Sequence, residues 1–223
     1  MSYRSAAKDF SYKKWCATFC CPPLPTSIIS KLAFKPLTIK TYELIPTESG
    51  SMQYVFQLSP DIDQTSLKRL LQQDARFVKT LRGNNVVVLF IKCTKTKNFT
   101  ILYSHGGSVD VGYMHRLCTD LSLMTGCDIV TYDYSGYGES TGTPSEMNMY
   151  ADIRAAWDYT ITFQEPNPLK IVLYGQGIGT VATIDLASKV QCAGVIVQSP
   201  LMSARRLFIP RGNLLKFLHH MNR

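Results

Sequence analysis

Three short strings hold the residues of this sequence that are able to do chemistry. The first, Gly175-Gln176-Gly177-Ile178-Gly179, follows the apolar run KIVLYG and precedes a helical stretch. A strand, a sharp turn and a helix around G-x-S-x-G form a nucleophile elbow, where small flanking residues let the turn lift a serine above the sheet. Here the central position is Gly177, which tolerates the unusual dihedrals of the turn but brings no side-chain oxygen. The turn is expected to survive and the nucleophile to be absent, so the chain as written should not hydrolyse esters. The second string, His105-Gly106-Gly107, ends another apolar run. In such a scaffold the loop after this strand gives one backbone N–H to an oxyanion hole and the residue after the nucleophile gives the other. Those donors would be Gly107 and Ile178. Being backbone groups, they do not depend on a serine. His105 reads as a turn residue hydrogen-bonded at the sheet rim rather than a general base, because the catalytic histidine should follow the acid late in the chain.

The third string, YDYSGYGESTGTPSE, is too rich in Gly, Ser and Tyr for a core segment and follows a strand, so it should line the site. Ser135 and Ser140 are not followed directly by a helix and read as turn serines. GQGIGT also invites a dinucleotide-binding reading. That motif asks for glycine where Thr180 stands, and for an acidic residue where the next strand ends in Gln198. No cofactor is therefore expected.

The elements that must position these strings are legible as a pattern. The runs VVVLFIKC, FTILYSHG, CDIVTYD, KIVLYG and AGVIVQS are short, rich in Val and Ile and nearly free of charge, as expected of strands buried on both faces. Two further β-like runs cover residues 51–58 and 75–81. Helices are predicted over residues 110–125, 144–163 and 178–190. Strands alternating with helices imply an α/β fold, a mostly parallel sheet covered on both faces, with function at the C-terminal ends of its strands.

Charge and cysteine usage bear on partners. The net charge of +8 is concentrated at the two ends: seven basic residues against Asp9 in residues 1–40, and five against none in residues 205–223. The middle is mildly acidic, which argues against nucleic acid and for a membrane surface. Seven cysteines without a CxxC pair indicate neither a disulfide framework nor a zinc site, so no metal is expected. No apolar run approaches the length of a membrane span, and the polar, basic N-terminus does not read as a secretory signal. Cys16, Cys20 and Cys21 lie beside Trp15 and Phe19 and just after Lys13 and Lys14. Thiols in such a setting suit reversible S-palmitoylation, and several acyl chains with a basic patch give stable anchoring. The alternative is a proline-stiffened tail with incidental cysteines.

The strings AFKPLTIKTYELIP, SHGGSVDVG, YDYSGYGESTGTPSEMNMYADIRAAW, YGQGIGTVATIDLAS and SPLMSARR together resemble the membrane-tethered α/β-hydrolase-domain depalmitoylases of the domain-17 group. The resemblance implies an α/β-hydrolase fold and a palmitoylated cysteine cluster at Cys16, Cys20 and Cys21. It also implies a serine hydrolase that removes palmitate from proteins on the cytoplasmic face of the plasma membrane and endosomes. The chain departs from that pattern in having Gly177 for serine and Gly107 for asparagine, and the likeness stops after about Leu207. The acid and the catalytic histidine would lie beyond that point; His219 and His220, in the divergent tail, are not given the role. The expected organisation is a basic, Cys-rich anchoring segment over residues 1–41, a C-terminally incomplete α/β-hydrolase domain over 42–206 and a divergent tail over 207–223. The expected function is an inactive, membrane-tethered relative that binds palmitoylated proteins. A second expectation is a working depalmitoylase of which this sequence is a piece or a variant.

Overall fold

The computed structural model describes residues 33–46, 54–60, 72–93 and 99–200. Cys16, Cys20, Cys21, His219 and His220, with most of the anchoring segment and the whole 207–223 tail, lie outside the described residues.

Eight strands form one sheet: β1 (Tyr42–Pro46), β2 (Tyr54–Leu58), β3 (Gln72–Lys79), β4 (Asn85–Lys92), β5 (Thr100–Ser104), β6 (Asp128–Tyr132), β7 (Ile171–Gln176) and β8 (Gly194–Gln198). Their spatial order is β1-β2-β3-β4-β6-β5-β7-β8. The sheet is mixed rather than mostly parallel. β1 to β4 pair antiparallel, as does β4 with β6, and only β6-β5-β7-β8 is parallel. The reason is the length of the connections: residues 80–84 between β3 and β4 close a hairpin, whereas a parallel pair needs a crossover with room for a helix.

Three helices supply those crossovers: α1 (Val111–Thr125), α2 (Glu146–Tyr159) and α3 (Gly179–Ala187). Residues alternate across the strands, so Val87, Leu89 and Ile91 of β4 pack with Val111, Met114 and Cys118 of α1, while Val88 and Phe90 belong to the opposite layer. That second layer is built on Met149, Ile153 and Trp157 of α2 and Ala182 and Leu186 of α3. β4, β5 and β6 are buried on both faces as their composition predicts. β8 is not: Val195, Ile196 and Val197 are 42–45% exposed, because β8 has a single strand neighbour among the described residues.

Each helix starts where its chemistry allows. The Ser145 side chain accepts the Asn148 N–H and caps α2, with Glu146 in the first turn. α2 gives way at Tyr159 to a π-turn, Thr160–Gln164, so the predicted helix over 144–163 ends in a wider coil. Asp110 caps α1 by accepting the Tyr113 N–H at 2.9 Å. The same carboxylate accepts the Thr41 N–H at 3.1 Å and the Thr41 hydroxyl, joining the chain ahead of β1 to the start of α1. Phe34 is also buried, so the folded unit takes in residues ahead of Tyr42.

Because Asp110 serves both elements, Asp110→Ala should cost more than a helix cap alone, about 2 kcal/mol rather than about 1. Urea unfolding checks this, with Ser145→Ala as the single-cap comparison.

Candidate functional site

β7 runs into Gly177, whose φ of +56° lies in the left-handed region, and the chain then enters α3. The turn is held by the Gly177 N–H donating to the Gln198 carbonyl at 2.9 Å, and by the Thr180 hydroxyl and N–H donating to the Gly177 carbonyl at 2.7 and 3.2 Å. The flanking glycines are there for close approach. A Cβ on Gly179 would lie 2.3 Å from the Ser104 carbonyl oxygen, and one on Gly175 would lie 2.7 Å from Thr180 Cα. At Gly177 the same atom would meet, among the described residues, only Gly106 Cα, at 3.9 Å. The elbow keeps its conformation and has room for a side chain, but bears none.

Facing it across the ends of β5 and β7 is the loop of His105, Gly106 and Gly107. Neither the Gly107 N–H nor the Ile178 N–H donates to a protein acceptor among the described residues. The loop's carbonyls, by contrast, are held. The Gly107 carbonyl accepts the Lys35 N–H at 3.0 Å and the Tyr137 hydroxyl at 2.9 Å, and the Tyr137 oxygen also accepts the Lys35 N–H at 3.1 Å. The strap at residues 33–35 lies so close that a Cβ on Gly107 would sit 3.1 Å from the Ala33 carbonyl oxygen and 3.2 Å from Ile178 Cγ2.

His105 is fully buried beneath this loop, with Nδ1 2.8 Å from the Gly106 carbonyl oxygen and Nε2 3.2 Å from Asp133 Oδ1. Asp133, at the end of β6, also accepts the Val111 N–H at 2.9 Å and the Tyr42 hydroxyl. Burial raises the Asp133 carboxyl above the usual range, opposed by His105 and the Tyr42 hydroxyl; burial and the neighbouring Asp133 raise the Tyr42 phenol as well. Sequence reading found His105 but missed Asp133, Tyr42 and the strap. The available signal for Asp133 was its position at a strand end within YDYSGYG.

Ser135 and Ser140 are both buried and fully engaged. The Ser135 hydroxyl and N–H both donate to Asp152 at 2.7 Å, and the Asn84 amide donates to its oxygen. Ser140 Oγ accepts the Val87 N–H and donates to the Asp133 carbonyl. His115, the other described histidine, lies in the α1 layer with its Nε2 2.8 Å from the Gln73 amide and its ring against Phe56. Gln198, where a dinucleotide site would want an acid, accepts the Tyr174 hydroxyl at 2.8 Å. Among the described residues no three His, Cys, Asp or Glu side chains group as metal ligands, and Cys93, Cys118, Cys127 and Cys192 form no disulfide with one another. No described helix is long and apolar enough to cross a membrane.

A turn of this geometry after a parallel strand, a glycine loop after the neighbouring strand and this strand order define an α/β-hydrolase. Solved structures share that fold: the Pyrococcus furiosus esterase Pf2001, at a TM-score of 0.54 and 17% identity, matches 70% of this chain and 62% of its own. An alpha-beta hydrolase from Vibrio vulnificus gives 0.54 and 20%, over 70% of this chain and 56% of its own. The family described as serine aminopeptidase, S33, matches residues 95–222. Alpha/beta hydrolase domain-containing protein 17B is 43% identical over 203 residues in Xenopus tropicalis, covering 91% of this chain and 70% of the relative. The Homo sapiens 17B protein is 41% identical over the same shares. The chain belongs to the alpha/beta hydrolase domain-containing protein 17 family.

Two measurements follow from the site. Gly177→Ser should destabilise by about 1 kcal/mol, the cost of a side chain at positive φ with no clash. Gly179→Ala should cost about 3 kcal/mol, because its Cβ presses on backbone; denaturant midpoints compare the two. Asp152 is raised to about 6, chiefly by burial and against the donated Ser135 hydrogen bonds and Arg82. A carboxyl raised in the folded state contributes stability that is present below its unfolded pKa of about 4 and lost as pH rises through about 6. Unfolding measured between pH 4 and 7 should therefore show a falling contribution that Asp152→Asn flattens.

Proposed function

We propose that this chain is a membrane-tethered family member that holds S-palmitoylated proteins without cleaving them. The observation that carries the reading is Gly177: an elbow still in its left-handed conformation, with no atom able to attack a carbonyl carbon. The free Gly107 and Ile178 N–H groups support it from the other side, since they are suited to a thioester carbonyl oxygen. The described histidines are occupied by Asp133, the Gly106 carbonyl and Gln73, so neither of them is a base poised at the turn. A bound thioester would be oriented, and then released intact. Palmitoylated Cys16, Cys20 and Cys21, together with the basic N-terminal residues, would hold the chain on the cytoplasmic face of the plasma membrane and endosomes.

A second reading, a working depalmitoylase represented here by a piece or variant, is favoured by the open space at Gly177, which would seat a serine Cβ without a clash. A serine there would still need its acid and base.

Binding of a palmitoylated cysteine peptide and of its unacylated form to the purified chain tests the first reading, alongside assay of thiol release. Preferential capture of the acylated peptide, no thiol release above background and no labelling by a fluorophosphonate probe are expected. Catalytic release of thiol overturns the reading. For the tether, replacing Cys16, Cys20 and Cys21 with serine should move the protein from membrane to cytosol on fractionation, and Lys13 and Lys14 replacements should only weaken attachment.

A further inference from the structure

We propose that His105 is a positioning residue whose Nδ1–H aims the Gly107 N–H, by holding the Gly106 carbonyl of the same peptide unit. The inference rests on the reading of Gly107 N–H as a carbonyl-oxygen donor and adds the part that sets its direction.

A carbonyl oxygen can only accept, so the 2.8 Å approach of Nδ1 to the Gly106 oxygen is a hydrogen bond when Nδ1 carries the proton. Nε2, 3.2 Å from Asp133 Oδ1, makes no hydrogen bond among the described residues, which favours that tautomer. The Gly106 C=O and the Gly107 N–H belong to one planar, trans peptide and point in opposite directions. Drawing the carbonyl down to a buried imidazole therefore turns the N–H outward, away from the sheet. The loop needs such a hold because Gly106 and Gly107 are consecutive glycines, the residue type with the widest backbone freedom. Without it the peptide between them would be free to rotate.

The imidazole can impose a direction because it is itself fixed. Its Nε2 faces Asp133 Oδ1, and its ring packs against Tyr134 and Tyr137, with centroids 4.4 and 5.7 Å away, the two tyrosine rings themselves being 5.5 Å apart. The Tyr134 hydroxyl donates to the carbonyl of His105 itself at 2.6 Å. Asp133 is in turn fixed by Tyr42 and by the N-terminus of α1. The next carbonyl, that of Gly107, is held independently by Tyr137 and the Lys35 N–H. Both peptide planes that meet at Gly107 Cα are thus oriented by named side chains or by the strap. A role confined to filling space would not require Nδ1 to face the one carbonyl that shares a peptide with the free N–H.

The experiment is NMR on the isotope-labelled full chain. Wild type should show a slowly exchanging imidazole proton on His105 Nδ1. In His105→Ala the Gly106 carbonyl and Gly107 amide resonances should move, while β5 and β6 core amides stay. His105→Asn, whose side-chain amide can donate to the same carbonyl, should restore them. Tyr137→Phe should shift the Ser108 amide and leave the His105 proton in place. The palmitoylated peptide should bind His105→Ala about tenfold more weakly than wild type and His105→Asn nearly as well as wild type, the effect of misaiming one hydrogen-bond donor. A His105 proton on Nε2 alone overturns the proposal, as do Ala and Asn variants with the same loop resonances. The wild-type tautomer decides the matter even if the Ala variant does not fold. Peptide binding to wild type tests the function proposed above and the loop resonances test His105, so the two fail separately.

Discussion

A single buried carboxylate organises the functional end of this domain. Asp133 stands at the end of β6 with its oxygens shared among the Tyr42 hydroxyl, the Val111 N–H and His105, and so ties β1, the start of α1 and the glycine loop after β5 to one point. A carboxylate fully removed from water is tolerable only when donors replace the lost hydration, and the raised pKa of Asp133 marks what that replacement leaves unmet. The arrangement is consequently all or nothing. Removing one donor leaves a buried charge short of partners, which costs far more than the bond itself is worth. Elements distant in sequence are thereby made to share one geometry.

That dependence explains which parts of the molecule could be read from residues in order. β4, β5 and β6 announce themselves as apolar runs because both their faces are buried, and the elbow announces itself because only glycines fit at 175 and 179. Gly107, Ile178 and Gly177 lie together because the motifs that contain them stand at the ends of the paired strands β5 and β7. Tyr42 carries no such signal: nothing local says that its hydroxyl reaches a carboxylate 91 positions later. The strap is equally silent, since Lys35 contributes a backbone N–H and its side-chain identity says nothing about that bond. The mixed character of the sheet was hidden for a different reason. A Val- and Ile-rich run looks the same in either pairing sense, and only the connection length tells them apart. β8 was read as fully buried from composition, yet burial depends on what lies beside a strand as well as on what it is made of.

The contrast between Gly177 and its neighbours separates conformation from chemistry. The elbow's shape is enforced by hydrogen bonds to Gln198 and Thr180 and by packing at Gly175 and Gly179, none of which involves a side chain at 177. The turn therefore needs no side chain at 177, and the N–H groups of Gly107 and Ile178 do not depend on one either. In this fold the shape of the turn and the side chain it carries are structurally independent.

The close approach of the Ala33 carbonyl to Gly107 makes the two glycine positions unequal as places for a side chain. At 107 the strap occupies the space where a Cβ would stand, at 3.1 Å from the Ala33 carbonyl oxygen, so a side chain there requires Ala33 to withdraw. At 177 a Cβ meets, among the described residues, only Gly106 Cα at 3.9 Å, and the cost of a side chain is the positive φ alone. The strap, rather than the turn, decides which of the two glycines tolerates replacement.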